Sequence, residues 1–326
     1  MRRRNFIALG SAAAVTRPIG VWAQQRDKVR KVGFLYPGPL GAAPPRITAL
    51  LSGLRAGGFR EPDDVQVVAR ITEGDPTKLA PMAEDLVTQQ VDLIFTIGPA
   101  AVRAARNATS TIPIVASDLE SDPVKLGFIK SVARPGGNVT GTFLDFPDFG
   151  KKWLEALKEA LPNQQTVAVF WDPTTGATQI DAVEAAAKTL NVRIAKIELR
   201  GRADVDGSFA SARESRADGL LILSSPFVGG NTKLLAERCL AQRLPAVTLF
   251  TDFARDGGLM AYGPNLLTFL RQQGVLASRI LKGQNPADLP IETPTKFEFV
   301  LNLKTARILN VEIPAATLLR ADEVIE

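Results

Sequence analysis

Hydrophobic residues fall into two rhythms along this chain: short continuous apolar runs, and longer stretches with apolar positions three or four residues apart. Val29–Tyr36 reads as a strand, Pro37-Gly38-Pro39-Leu40-Gly41 as a loop, and Ile47–Ala56 as a helix. Val65–Arg70 is a second strand, and Pro76–Gln89 a helix with Leu79, Met82, Ala83, Leu86 and Val87 on one face. Val91–Ile97 is almost wholly apolar, as a parallel strand buried on both faces requires. Gly98-Pro99 then leads into a helix over Ala100–Ala108, and Ile112–Ser117 is a fourth strand.

The second half repeats this order. Thr166–Trp171 is a strand, Asp172–Gly176 a loop, Ala177–Leu190 a helix and Val192–Leu199 a strand. Gly219–Leu223 is a buried strand, Asn231–Gln242 a helix, and Leu244-Pro245-Ala246-Val247 enters a strand as Ile112-Pro113-Ile114-Val115 does. The offset is 134 positions from Val32 to Thr166, 127 from Ile94 to Leu221 and 132 from Pro113 to Pro245, so two equivalent units are implied. Alternating strands and helices specify an α/β fold of two doubly wound parallel-sheet lobes, each with its strand-to-helix loops on one edge. Two such edges facing each other enclose a small molecule, and hinge closure is the matching motion.

Composition narrows the chemistry. The 326 residues contain no histidine and a single cysteine, Cys239. That excludes histidine-based triads, His-ligated metals, intramolecular disulfides and Cys-rich metal sites. The formal charge of +5 is concentrated at the start, where Arg2-Arg3-Arg4 precedes an Ala-rich apolar run from Phe6 to Val15 and then Val21-Trp22-Ala23. This pattern predicts a signal peptide cut after Ala23 and a mature protein exported to the periplasm. Arg3-Arg4-Asn5-Phe6-Ile7 fits a twin-arginine signal, and a general secretory signal with a basic start is the alternative. The apolar run is shorter than the about 20 residues a membrane span needs. Removing residues 1–23 takes away four arginines and no acid, lowering the 39 basic residues to 35 against 34 acidic ones. The remaining charges alternate in sign, as in Lys151-Lys152-Trp153-Leu154-Glu155, so nucleic acid is not an expected partner.

Candidate ligand contacts lie where apolar strands end. Tyr36 is placed to stack on a ligand and Gly38 lies in the same loop, though turn chemistry alone also accounts for both. Gly98, Ala100 and Ala101 begin a helix whose free amides can take a carboxylate; the plain alternative is that Gly98-Pro99 merely ends a strand. Asp118 is a candidate for a ligand ammonium, with Glu120 and Asp122 close behind. These acids lack calcium-loop spacing, and neither a metal nor a cofactor is expected. Asp145, Phe146, Trp171, Asp172, Ser224, Ser225, Phe227 and Asp252 reach the same predicted edge, as ligand contacts or as caps and core. Tyr262 is either a ligand contact or hinge packing. Ser224 and Ser225 stand in no Gly-x-Ser-x-Gly elbow and have no histidine base, so catalysis is not expected, and Cys239 reads as a small apolar residue in a helix.

Several segments carry a family resemblance: Val32-Gly33-Phe34-Leu35, Asp122-Pro123-Val124-Lys125-Leu126-Gly127 and Arg134-Pro135-Gly136-Gly137-Asn138-Val139-Thr140-Gly141. Gly257-Gly258-Leu259-Met260-Ala261-Tyr262-Gly263-Pro264, Ile280-Leu281-Lys282-Gly283 and Asn302-Leu303-Lys304-Thr305-Ala306 extend it. The chain resembles substrate-binding proteins of ABC transporters, in the subfamily similar to tryptophan-binding TrpX proteins. The resemblance implies a type I periplasmic-binding-protein fold with three chain crossings, near Thr142–Phe146, Tyr262–Asn265 and Glu298–Leu301. Its implied bodies are a first lobe of 29–143 plus 266–297 and a second of 145–262 plus 300–326. It further implies a monomer that delivers a small solute, an amino acid or small aromatic carboxylate, to a membrane permease with a separate ATPase. A periplasmic sensor that presents its bound form to a membrane receptor is the alternative, because the same fold serves signalling.

Overall fold

The computed structural model describes residues 28–144, 146–162 and 164–326. The signal-peptide expectation for residues 1–23 lies outside them. Strand β1 (Arg30–Tyr36) is followed by helix α1 (Ala43–Ala56), β2 (Val65–Ile71), α2 (Leu79–Thr88), β3 (Leu93–Ile97), α3 (Pro99–Ala108), β4 (Ile114–Asp118) and β5 (Val139–Phe143). These strands form one parallel sheet in the order β2-β1-β3-β4-β5. Every residue of β3 is buried, as its continuous apolar run requires. Helix α1 starts at Ala43, four residues before the expected Ile47, because Pro44 and Pro45 fall in its first turn, where proline costs no hydrogen bond.

The second set runs α4 (Phe146–Ala160), β6 (Thr166–Trp171), α5 (Thr178–Leu190), β7 (Arg193–Glu198), α6 (Val205–Glu214), β8 (Gly219–Ile222), α7 (Pro226–Gly230), α8 (Thr232–Ala241), β9 (Ala246–Thr248), α9 (Asp252–Arg255) and β10 (Met260–Pro264). The order β7-β6-β8-β9-β10 reproduces that of the first sheet, so the repeat read from the offsets is a repeat of topology. Then come α10 (Leu266–Leu281), β11 (Phe297–Asn302), α11 (Leu303–Leu309), α12 (Ala315–Leu318) and β12 (Glu323–Ile325). Strand β11 joins β10 antiparallel, and β12 joins β11 in parallel at the rim.

The late segments connect both sheets. Helix α10 lies against α1, where side chains at Gly53 or Gly274 would strike the facing backbone. Glu292 then exchanges hydrogen bonds with the end of the first sheet, its N–H donating to Gly141 O (3.0 Å) and its carbonyl accepting from Phe143 N (3.1 Å). The chain passes between sheets after Phe143, at Asn265, and between Glu292 and Phe297. The third passage precedes the expected Glu298–Leu301, because Phe297 is already paired with Pro264 in the antiparallel ladder. Trp153 secures α4 near the second passage by donating from Nε1 to Tyr262 O (2.8 Å). Among the described residues, no helix is long and apolar enough to cross a membrane.

Candidate functional site

The strand-to-helix loops of the two sheets touch. Tyr36, fully buried at the end of β1, donates from Oη to Pro226 O across the gap (3.5 Å). Gly38 allows this placement, since a side chain there would collide with the phenol of Tyr36. Arg46 of α1 donates to the carbonyl of Ala42 (2.6 Å), just before its own helix, and to Gly229 O (2.7 Å) on the opposite lobe. Its guanidinium lies 5.2 Å from the Tyr36 ring centre. Ser224 Oγ donates to Glu120 Oε1 (2.7 Å), a third contact between lobes.

Beside these contacts lies a cavity of about 110 Å³ lined by both lobes. From the first come Pro37, Thr72, Pro99 and Ala100; from the second, Asp172, Thr175, Arg200, Pro226 and Phe227. Gly98, the residue before α3, has φ 80° and ψ 157°, a conformation essentially confined to glycine, and supplies no side-chain cap. The first amides of α3 therefore face the cavity end of the helix without a capping oxygen, and the dipole there favours an anion. Ala100 lines the cavity, whereas the side chain of Ala101 is wholly buried in the first lobe. On the other wall Asp172 accepts from Thr174 N (2.9 Å) and Thr174 Oγ1 (2.8 Å). Burial pushes its carboxyl above the usual carboxylate range, against those hydrogen bonds and the nearby charge of Arg200. Arg200 is largely exposed and paired with Glu198 (2.6 Å), which leaves it free to turn towards an anion at low cost.

The acidic loop after β4 divides its labour differently from the sequence expectation. Asp118 is wholly buried and accepts from Glu120 N (2.9 Å), Ser121 N (3.0 Å) and Ser121 Oγ. It builds its own turn instead of offering a free carboxylate to a ligand. Glu120 is the acid that reaches the opposite lobe. Its carboxyl is held well above the ordinary range, first by burial and then by the charge of Asp118. Asp122 accepts from Val124 N and Lys125 N, the turn-forming alternative.

The remaining candidates separate. Phe227 lines the cavity. Ser224 also receives Gln179 through a paired amide contact: Ser224 N donates to Gln179 Oε1 (2.9 Å), and Gln179 Nε2 donates to Ser224 O (2.8 Å). Ser225 caps α7 by accepting from Val228 N (3.2 Å). Trp171 turns to its own loop, donating from Nε1 to Gly176 O (3.1 Å) with Lys196 over its ring. Asp252 is not in the cleft: it begins α9, is largely exposed and pairs with Arg255 (3.1 Å), which also binds Glu298 and Glu323. Tyr262 is packed in an aromatic group with Phe149, Phe297 and Phe299, at centroid distances of 5.7, 6.1 and 6.2 Å, beside the second passage. That is the hinge-packing alternative. Asp145 lies outside the described residues, and Phe146 contributes the first backbone turn of α4. Thr72, Arg46, Gln179 and Arg200 went unnoticed in the sequence; for Arg200 and Thr72 the available signal was a polar residue just past an edge strand.

A family model described as ABC transporter substrate binding protein matches residues 46–325. The chain belongs to that family. A tyrosine-binding protein from Clostridioides difficile (strain R20291) is 24% identical over 264 residues, which cover 80% of this chain and 75% of the relative. A conserved domain protein from Vibrio cholerae O1 biovar El Tor str. N16961 superposes with TM-score 0.84 at 24% identity, covering 91% of this chain and all of the other. The ABC domain from Streptococcus pneumonia solved in complex with L-Trp gives TM-score 0.83 at 23% identity, covering 91% and 100%. The fold of this family member is that of a type I periplasmic binding protein.

Proposed function

We propose that this protein is the exported, monomeric solute receptor of an ABC importer. It captures an amino acid or small aromatic carboxylate between its lobes and hands it, chemically unchanged, to a membrane permease with a separate ATPase. The bodies that close on the solute are 29–143 with 266–297 and 145–262 with 300–326; the pairing of Phe297 with Pro264 supports counting that one residue with the second body instead. The cavity carries this reading: an uncapped helix start at Gly98–Ala100 stands opposite Asp172 and Arg200, with Phe227 and prolines between. Such a site offers partners for both signs of charge and an apolar wall for a side chain. Family membership and relatives named for tyrosine and L-Trp support the same solute class.

A thermal-shift series with the twenty amino acids, indole-3-propionate, benzoate, purines and small sugars tests it. A solute at ~100 times its dissociation constant stabilises the folded state by about 2.7 kcal/mol. Stabilisation confined to amino or aromatic acids is expected. Stabilisation only by sugars or purines, or by none of these compounds, sinks the assignment of solute class.

A further inference from the structure

We propose that Arg46 is a positioning residue: with Tyr36 it clasps helix α7 across the gap between the lobes, and so sets how tightly every solute is held without touching any of them. The proposal rests on the solute-receptor reading and deepens it.

Arg46 is 6% exposed, an enclosed cation. No ion pair among the described residues includes it. Carbonyls and a ring hold it instead: Ala42 O at 2.6 Å, Gly229 O at 2.7 Å and the face of Tyr36 at 5.2 Å. A guanidinium suits such a place, being planar, rich in donors and only weakly hydrated. Two of these three contacts lie within its own lobe and orient the side chain; the third crosses to the other lobe. Tyr36 adds a second crossing. Burial keeps its phenol neutral, and Oη donates to Pro226 O (3.5 Å), so α7 is gripped near both of its ends.

Helix α7 is shaped to be gripped. The Gly229 carbonyl lies in its last turn, where a helix offers no amide of its own, and Asn231 beyond it is committed to the carbonyls of Phe227 and Val228. Gly230 is helical and has no positive φ, so alanine can share its conformation. Yet a Cβ there would run into the Pro39 ring and stand 3.0 Å from Tyr36 Oη. Its missing side chain therefore serves the approach of the first lobe, not the backbone of α7.

None of Arg46, Tyr36, Gly229 and Gly230 lines the cavity. Pro226 does, so the clasp anchors one cavity wall while standing outside the cavity itself. A contact of this kind changes the fraction of molecules that are closed, and that fraction scales the apparent dissociation constant of every solute alike. A residue touching the solute would instead act on some solutes and spare others.

Arg46→Met and Gly230→Ala test this from the two sides of the gap, the first removing the donors and the second blocking the approach. L-Tyrosine, L-tryptophan and benzoate are titrated calorimetrically, and their release is followed by stopped-flow fluorescence. Each variant should weaken every probe that binds the wild type by one common factor of about tenfold, carried by faster release with association unchanged. The double variant should lose no more than the stronger single one, because both act on the same clasp. Loss confined to one probe while another is unaffected, or unchanged release in Arg46→Met, overturns the proposal.

Binding by none of the three probes would count against the solute class, and the clasp is then judged by small-angle X-ray scattering without solute. The wild type should have a smaller radius of gyration than Arg46→Met and Gly230→Ala. Equal radii in that case overturn the proposal.

Discussion

The turn from β3 into α3 and the turn from β8 into α7 occupy the same place in the two sheets, and both put proline at the first helical position. They end differently. Gly98 enters α3 at positive φ and offers no side chain to the helix start, whereas Ser225 enters α7 in extended geometry and caps it with its own hydroxyl. One turn leaves its amides without a side-chain cap; the other satisfies them internally and presents Pro226 to the partner lobe. Duplicated topology therefore carries unequal chemistry. The residue before the proline decides which helix start is capped and which is left open.

Substitutions at these turns should give graded effects. Gly98→Val should be the most damaging. It forces a glycine-only conformation, costing about 1–3 kcal/mol, and puts a Cβ 2.8 Å from Pro226 Cγ, so the lobes cannot meet. Loss of more than about a hundredfold in solute affinity by calorimetry is expected, and retained affinity would show that this turn does not set the closed geometry. Asp118→Asn should cost about 1–3 kcal/mol in urea unfolding, since it removes a charged acceptor from three donors, while solute affinity persists. A lost affinity would place the Asp118 carboxylate at the solute. Ser225→Ala should cost about 1 kcal/mol through the lost cap, read in the same unfolding experiment. A null result there would erase the contrast between the turns. Tyr262→Phe should change stability by less than about 0.5 kcal/mol and leave affinity unchanged, because its ring stays among Phe149, Phe297 and Phe299. A tenfold loss of affinity would place its hydroxyl at the solute.

Strands were legible because buried parallel strands are written as unbroken apolar runs, and the repeat because Pro113 and Pro245 mark the entry to equivalent strands. Local turn chemistry was harder to read. Asp118 ends a strand at the right edge, but an acid followed two and three residues later by free amides folds back on its own turn. The acid two positions further on then becomes the one that projects. Asp252 misled in a similar way: it follows a strand, yet α9 begins there and carries the carboxylate outward to Arg255. Strand β11 was hidden because its antiparallel partner β10 precedes it by a long helical excursion, and no local pattern announces a pairing at that distance. Thr72 and Arg200 follow the half-exposed edge strands β2 and β7, where polar residues are ordinary.

The threading of the chain has a consequence for biogenesis. Helix α10, which covers α1, and the Glu292 strand bridge that finishes the first sheet are translated only after the whole of β6–β10. The second sheet waits in turn for β11 and β12. A nascent chain that has emerged as far as Pro264 thus holds two unfinished bodies, and both are completed by residues 266–325. A chain interrupted before α10 therefore cannot yield one finished lobe and one missing one, because the same late segment completes both.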